Sequence, residues 1–212
     1  MRPQRTHLST VNLKRRGVPV QYHKHTYEDL DDFNSPERKV VIDYVKEYIK
    51  DIHQRFEINE GIFLYGSNGV GKSYIASLIT LYAYRFRYTS KRCTFAEYIH
   101  EYTSLWNIKD SETLEEATGL FYHNYKAVEF LVIEEIGKEL DTKLSPTVLE
   151  DLLRYREEKK LVTIICTNLT PKDVVERYGN SIGSLIQGNF TPIQLVGADN
   201  RKRAFKLRGA KS

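Results

Sequence analysis

The sequence predicts an α/β domain in which a parallel β-sheet is covered by helices on both faces. Three observations point there. Short continuous apolar runs alternate along the chain with stretches of helical spacing, the pattern of strands buried on two sides. The run at 61–65, GIFLY, feeds into the glycine-rich stretch GSNGVGKS at 66–73. The run at 130–137, FLVIEEIG, ends on two adjacent carboxylates, which a buried strand tolerates only where they have something to hold.

The bulk numbers bound this class. The chain has 212 residues, 41% hydrophobic and 28% charged, the size of one domain with a real core. No apolar run approaches the roughly 20 residues that span a bilayer. The charges of MRPQRTHLSTVNLKRRG are followed by no apolar stretch, so neither a secretory leader nor a membrane partner is expected. Cys93 and Cys166 are far apart and in no metal-like spacing, as for two reduced thiols of a cytoplasmic protein. The net charge of +4 hides an asymmetry. The first 25 residues carry six Lys/Arg and the last 12 carry six more, all without an acid, so the 175 residues between them carry −8. Basic ends on an acidic body suit a polyanionic partner. Three segments are expected: a basic arm over 1–16, a core over 17–205 and a basic tail over 206–212.

The elements follow in order. GIFLY at 61–65 reads as a buried strand. GSNGVGKS matches GxxxxGK[ST], the P-loop pattern. Its glycines let successive backbone N–H groups turn toward phosphate oxygens. Gly66, Ser67, Asn68, Gly69, Val70, Gly71, Lys72, Ser73 and Tyr74 are therefore the expected nucleotide contacts. Lys72 would reach the β- and γ-phosphates, and Ser73 would place a hydroxyl on Mg²⁺. YIASLITLYAYRF continues as a helix whose positive end points at the nucleotide. ATP and Mg²⁺ are the expected cofactors.

The acidic strand then has a use. In a P-loop NTPase a second parallel strand ends beside the first and presents acid to the metal and the attacking water. Glu134 stands at the metal position, where Asp is commoner, and Glu135 at the position of the catalytic base. A polar loop follows. A helix is expected with Ser145 as N-cap and Pro146 in its first turn, running through VLEDLLRYREEKK. LVTIICTN at 161–168 reads as the next strand, ending on Asn168. Thr170 and Pro171 open a helix that Gly179 closes. PIQLV at 192–196 is a last strand. Between the P-loop helix and the acidic strand lies a stretch rich in aromatics and cations, from Tyr84 to Trp106 and Lys109. Such a mixture suits single-stranded nucleic acid, through Lys91, Arg92 or Lys109, although aromatics at helical spacing usually belong to a core. His23 and His25 form an HxH pair without further ligands, too little for a metal site.

GIFLYGSNGVGKSYIA, FLVIEEIGKE, TIICTNLTPKDVVERYGNSI and LVGADNRKRA together resemble successive blocks of the DnaC/DnaI/IstB group of AAA+ ATPases. The lead-in GVPVQYHKHTYEDLDDF at 17–33 is similar as well, so the resemblance covers roughly 17–205. It implies an AAA+ P-loop sheet sandwiched by helices, with ATP bound between subunits of a homo-oligomeric ring or spiral. It implies an ATPase that loads or remodels a replicative DNA helicase on single-stranded DNA during replication initiation. An IstB-like transposition accessory and an antagonist of a helicase or its loader are the alternatives. Asn168 matches the group's sensor 1, which orients water near the γ-phosphate. Arg201 resembles the arginine that follows the last strand and touches phosphate.

Three departures shape the expectation. Only about 16 residues precede the core, where loaders usually carry a helicase-binding domain. Leu185 falls where the group has an arginine acting on the neighbour's ATP, a contribution worth about 10³–10⁵ in rate. Hydrolysis should then be slow unless Arg154, Arg156 or Arg177 substitutes. The chain after the last strand leaves little or no room for a C-terminal helical lid.

Overall fold

A computed structural model describes residues 9–33, 35–140 and 143–197. Its centre is a five-stranded, all-parallel sheet in the order β2-β3-β4-β1-β5. The strands are β1 (Gly61–Tyr65), β2 (Ser90–Thr94), β3 (Phe130–Ile136), β4 (Val162–Thr167) and β5 (Phe190–Gln194). Successive side chains of a strand point to opposite faces, so each strand feeds two cores. Ile62, Leu64, Val132 and Ile164 pack on one face under helices α2 (Lys39–Lys50) and α4 (Lys72–Arg85). Phe63, Leu131, Ile133 and Ile165 pack on the other. That second face is covered by α5 (Phe95–Ser104), α7 (Leu144–Glu158), α8 (Pro171–Tyr178) and α9 (Asn180–Asn189). Every residue of α4 from Tyr74 to Tyr84 is buried, as its all-round apolar sequence demands of a helix enclosed on every side.

Two short helices, α1 (Thr10–Arg15) and α3 (Ile52–Glu57), complete the first face, and α6 (Ser111–Phe121) lies before the acidic strand. From Thr10 onward the basic arm is part of the packed body. Leu13 and Val18 are 1% exposed and belong to the first core. The segment after α1 runs along the outer edge of β2, where the Arg92 amide donates to the Arg16 carbonyl at 2.8 Å. The Lys91 ammonium donates to the Arg15 carbonyl at 2.9 Å. This covers backbone that an edge strand would otherwise present to other chains.

Several expectations change. The acidic strand does not end beside β1, because β4 lies between them and pairs with both. Helix α7 begins at Leu144, and Ser145 is inside its first turn rather than at its cap. The Ser145 hydroxyl donates to the Leu140 carbonyl at 3.2 Å instead of accepting from the helix. The last strand starts two residues earlier than PIQLV suggests, because the register with β1 begins at Phe190 opposite Gly61. Thr170 does cap α8, in a reciprocal capping box with Asp173. Helix α9 follows Gly179 directly, with Leu185 buried between helices.

Candidate nucleotide-binding site

The C-terminal ends of β1, β3 and β4 open onto one cleft, the place where open α/β sheets bind ligands. Its volume is about 360 Å³, within the range of small-molecule sites. Loop 66–71 forms one wall. Val70 is 2% exposed and roots the loop in the core. Gly71 caps α4 at a φ of 113°, a left-handed conformation that a side chain would strain. The chain can therefore turn sharply into a helix whose first amides face the cleft.

Lys72 lies across this loop. Its ammonium donates to the carbonyls of Gly66 at 2.7 Å and Ser67 at 2.8 Å, and to Asn168 Oδ1 at 2.7 Å. Asn168 in turn donates from Nδ2 to Asn68 Oδ1 at 2.9 Å. The strand end carrying Asn168 is tied to β3, because the Thr167 hydroxyl donates to the Ile136 carbonyl at 2.6 Å. The Leu169 amide donates back to that hydroxyl at 3.0 Å. Lys72 and Asn68 of the glycine-rich loop and Asn168 of a distant strand end thus form one bonded unit.

The two glutamates occupy different environments. Glu134 is 4% exposed, at the end of regular pairing, and its Oε2 accepts from the Arg92 guanidinium of β2. Burial pushes its carboxyl above the usual range, while the Arg92 charge and the neighbouring Ser73 side chain oppose that. Its Oε1 is buried without a hydrogen-bond partner among the described residues. A buried carboxylate oxygen without a partner, on a residue that lines the cleft together with Ser73, fits a divalent cation. Glu135 sits on a β-bulge, at a φ of 61°, where pairing with β4 slips by one residue. The bulge turns its side chain out of the sheet and into the cleft, half exposed, with Lys138 at 2.7 Å.

The fourth wall comes from the leader. Gln21 and Tyr22 line the cleft, and the Tyr22 ring lies 5.1 Å from the ring of Tyr74. The Tyr74 hydroxyl meets His25 Nδ1 at 2.9 Å. His23 instead bonds the Val18 carbonyl at 2.8 Å, so the HxH pair diverges. No group of three metal-ligating side chains occurs among the described residues. Arg201 lies outside them.

The candidate trans-acting arginines separate sharply. Leu185 faces the core and is 8% exposed, so its position presents no side chain to a neighbour. Arg156 is 1% exposed and Arg177 is held by Glu139. Arg154 is on the surface, bonded to Glu150 and Ser181. Of the cations considered for nucleic acid, Arg92 is engaged by Glu134, and Lys91 lies 4.8 Å from the ring centre of Tyr125. Lys109 is exposed. Tyr84, Tyr88, Phe95 and Tyr98 are core residues.

Sequence reasoning missed Arg92 at Glu134, Lys138 at Glu135 and the cleft wall at Gln21 and Tyr22. The only local signal for Arg92 was a charge inside SKRCT, which hid the strand altogether.

The chain is similar to the replicative helicase loader DnaI of Bacillus subtilis (strain 168), with 25% identity over 154 residues. The match covers 72% of this chain and 47% of that protein. Similarity to the replicative helicase loader DnaC of Buchnera aphidicola subsp. Baizongia pistaciae is 26% over 158 residues, covering 74% of this chain and 61% of that one. The chain thus spans about half to three-fifths of the length of these relatives. Among solved structures, a crystal structure of DnaI superposes with a TM-score of 0.66 at 20% identity, covering 84% of this chain and 94% of that one. The replication initiator DnaA bound to AMPPCP and single-stranded DNA gives a TM-score of 0.68 at 15% identity, over 85% of this chain and 51% of that one. The shared fold is that of AAA+ P-loop NTPases. No protein-family model matches.

Proposed function

We infer that this chain, a DnaC/DnaI-type AAA+ protein, binds ATP with Mg²⁺ in the cleft and uses it to place a replicative helicase on single-stranded DNA. One observation carries the reading. Three segments far apart in sequence bring Lys72, Asn168, Glu134 and Glu135 to the rim of a single cleft. When bound, Mg²⁺ would supply charge neutralisation for the phosphates. Ser73 and Glu134 are the residues to hold it. The loop amides and Lys72 orient the phosphates, and the γ-phosphate would replace some of the acceptors that Lys72 now uses. Asn168 would orient the attacking water, and Glu135 would take its proton.

Hydrolysis is slow in this reading. Position 185 is turned into the core, and Lys138 holds Glu135 in an ion pair. ATP then acts chiefly through binding. The relatives' printed descriptions, replicative helicase loaders, support the choice of partner.

The test is native mass spectrometry of the chain mixed with a hexameric replicative helicase, in ATP, ADP or neither. A defined complex whose stoichiometry depends on nucleotide is expected, and Lys72→Ala should abolish that dependence. Absence of any complex, with oligomers forming on duplex DNA instead, would transfer the reading to a transposition ATPase.

A further inference from the structure

Arg92 belongs to no motif of the P-loop pattern, yet it contacts Glu134 of the cleft wall. Pairing in register sets Arg92 opposite Val132 and Thr94 opposite Glu134. Arg92 and Glu134 therefore project on the same face of neighbouring strands, two residues out of step. The guanidinium spans that offset with one nitrogen, Nη2, on Glu134 Oε2. Its other terminal nitrogen, Nη1, donates to the Gly17 carbonyl at 2.8 Å. The Arg92 backbone amide donates to the Arg16 carbonyl at 2.8 Å. Arg92 is thus held from two sides by the leader, and only the remaining donor face reaches the acid.

The leader is shaped for this. Gly17 has a φ of 80°, and a Cβ there would lie 1.9 Å from the Arg92 carbonyl oxygen. No other residue lets the chain approach β2 so closely. Four and five residues on, the same leader supplies Gln21 and Tyr22 to the cleft wall.

We propose that Arg92 is the positioning residue of the metal site. The Gly17 carbonyl holds the guanidinium, and the guanidinium holds Glu134 Oε2, so that Oε1 is left without a protein partner, available to Mg²⁺. A glutamate is one methylene longer than the usual aspartate and has an extra torsion to fix. The Arg92 clamp fixes it and supplies the counter-charge that a buried carboxylate requires. The leader and the metal site are thereby one mechanical unit, and metal-nucleotide binding is transmitted to residues 13–18.

This inference rests on the nucleotide reading above. The experiment measures binding of a fluorescent, non-hydrolysable ATP analogue to the full chain while Mg²⁺ is titrated, and again in EDTA. Arg92→Gln is expected to raise the half-saturating Mg²⁺ concentration at least tenfold and to leave the EDTA affinity within twofold. Arg92→Lys, which keeps the charge on one donor, should recover part of the loss. Gly17→Ala, which moves the leader and keeps Arg92, should reproduce the Arg92→Gln defect in milder form. An Mg²⁺ requirement unchanged in Arg92→Gln overturns the proposal, and so does a lowered one, which would make Arg92 a competitor of the metal. A readout independent of variant folding is amide exchange in the wild-type chain. Analogue with Mg²⁺ should slow exchange at Arg92 and at 16–18 several-fold more than analogue with EDTA, and equal exchange overturns the relay. Failure of the wild type to bind the analogue at all sinks the nucleotide reading and the relay with it. Normal binding with Mg²⁺ dependence unmoved sinks the relay alone.

Discussion

Two arginines are built into opposite ends of the sheet, and they are used differently. Arg92, at the C-terminal end, is partly exposed and its charge is met by the Glu134 carboxylate. Arg156, near the N-terminal end, is completely enclosed and makes five hydrogen bonds to neutral oxygens. These are the Thr163 hydroxyl and the carbonyls of Lys126, Val128, Glu129 and Val162. Burial without a carboxylate pushes the Arg156 pKa down. The Arg156 guanidinium fastens α7 to the entries of β3 and β4, and five acceptors would be stranded without it. A buried cation with carbonyl partners stabilises the fold, whereas the one paired with an acid at the cleft is the one proposed to serve a ligand.

The largest expected effect tests that division directly. Arg156→Met should lower the unfolding free energy by about 3–5 kcal/mol in a urea melt, because buried carbonyls lose their donor. Nucleotide affinity of the protein that remains folded should stay within twofold. A variant as stable as wild type would break the comparison at its structural end.

The next effect sharpens the functional end. Glu135→Gln should reduce single-turnover ATP hydrolysis by about 10²–10³ through loss of the base, with the analogue bound as before. Glu134→Gln should instead weaken the Mg²⁺ dependence of binding. Identical phenotypes would show that the bulge does not separate the two carboxylates into two roles.

The smallest effect concerns the thiols, one on each face of the sheet. Burial pushes the Cys93 pKa up to about 12 and that of Cys166 well above its ordinary value. Neither is a thiolate at pH 8, so iodoacetamide should leave the native protein unlabelled by intact mass and add two groups in denaturant. Labelling of Cys166 alone in the native protein would show that the cleft floor opens.

The parts legible in the sequence are those written in one short window. GSNGVGKS carries its own spacing, FLVIEEIG announces a strand ending in acid, and Thr170 with Pro171 marks a helix start. The reading failed where a partner outside the window decides. Ser145 has the look of a cap, yet its hydroxyl turns to Leu140. SKRCT carries two charges in five residues, and it becomes a strand because the leader covers its edge and Glu134 takes its arginine. That Leu185 is buried was likewise not written in its window, because the packing of α9 turns that position toward the core.

By itself the sequence determined the class of fold, the glycine-rich loop, the acidic pair and the strands that flank them. Each of these follows from periodicity or spacing within about a dozen residues, where backbone geometry alone places the side chains. Only the tertiary structure decided that β4 lies between the P-loop strand and the acidic strand, and that Asn168 reaches Lys72 across 96 positions. It alone decided that Glu134 faces Arg92, because that pairing depends on the register between two strands and on a glycine 75 residues upstream that lets the leader close on them.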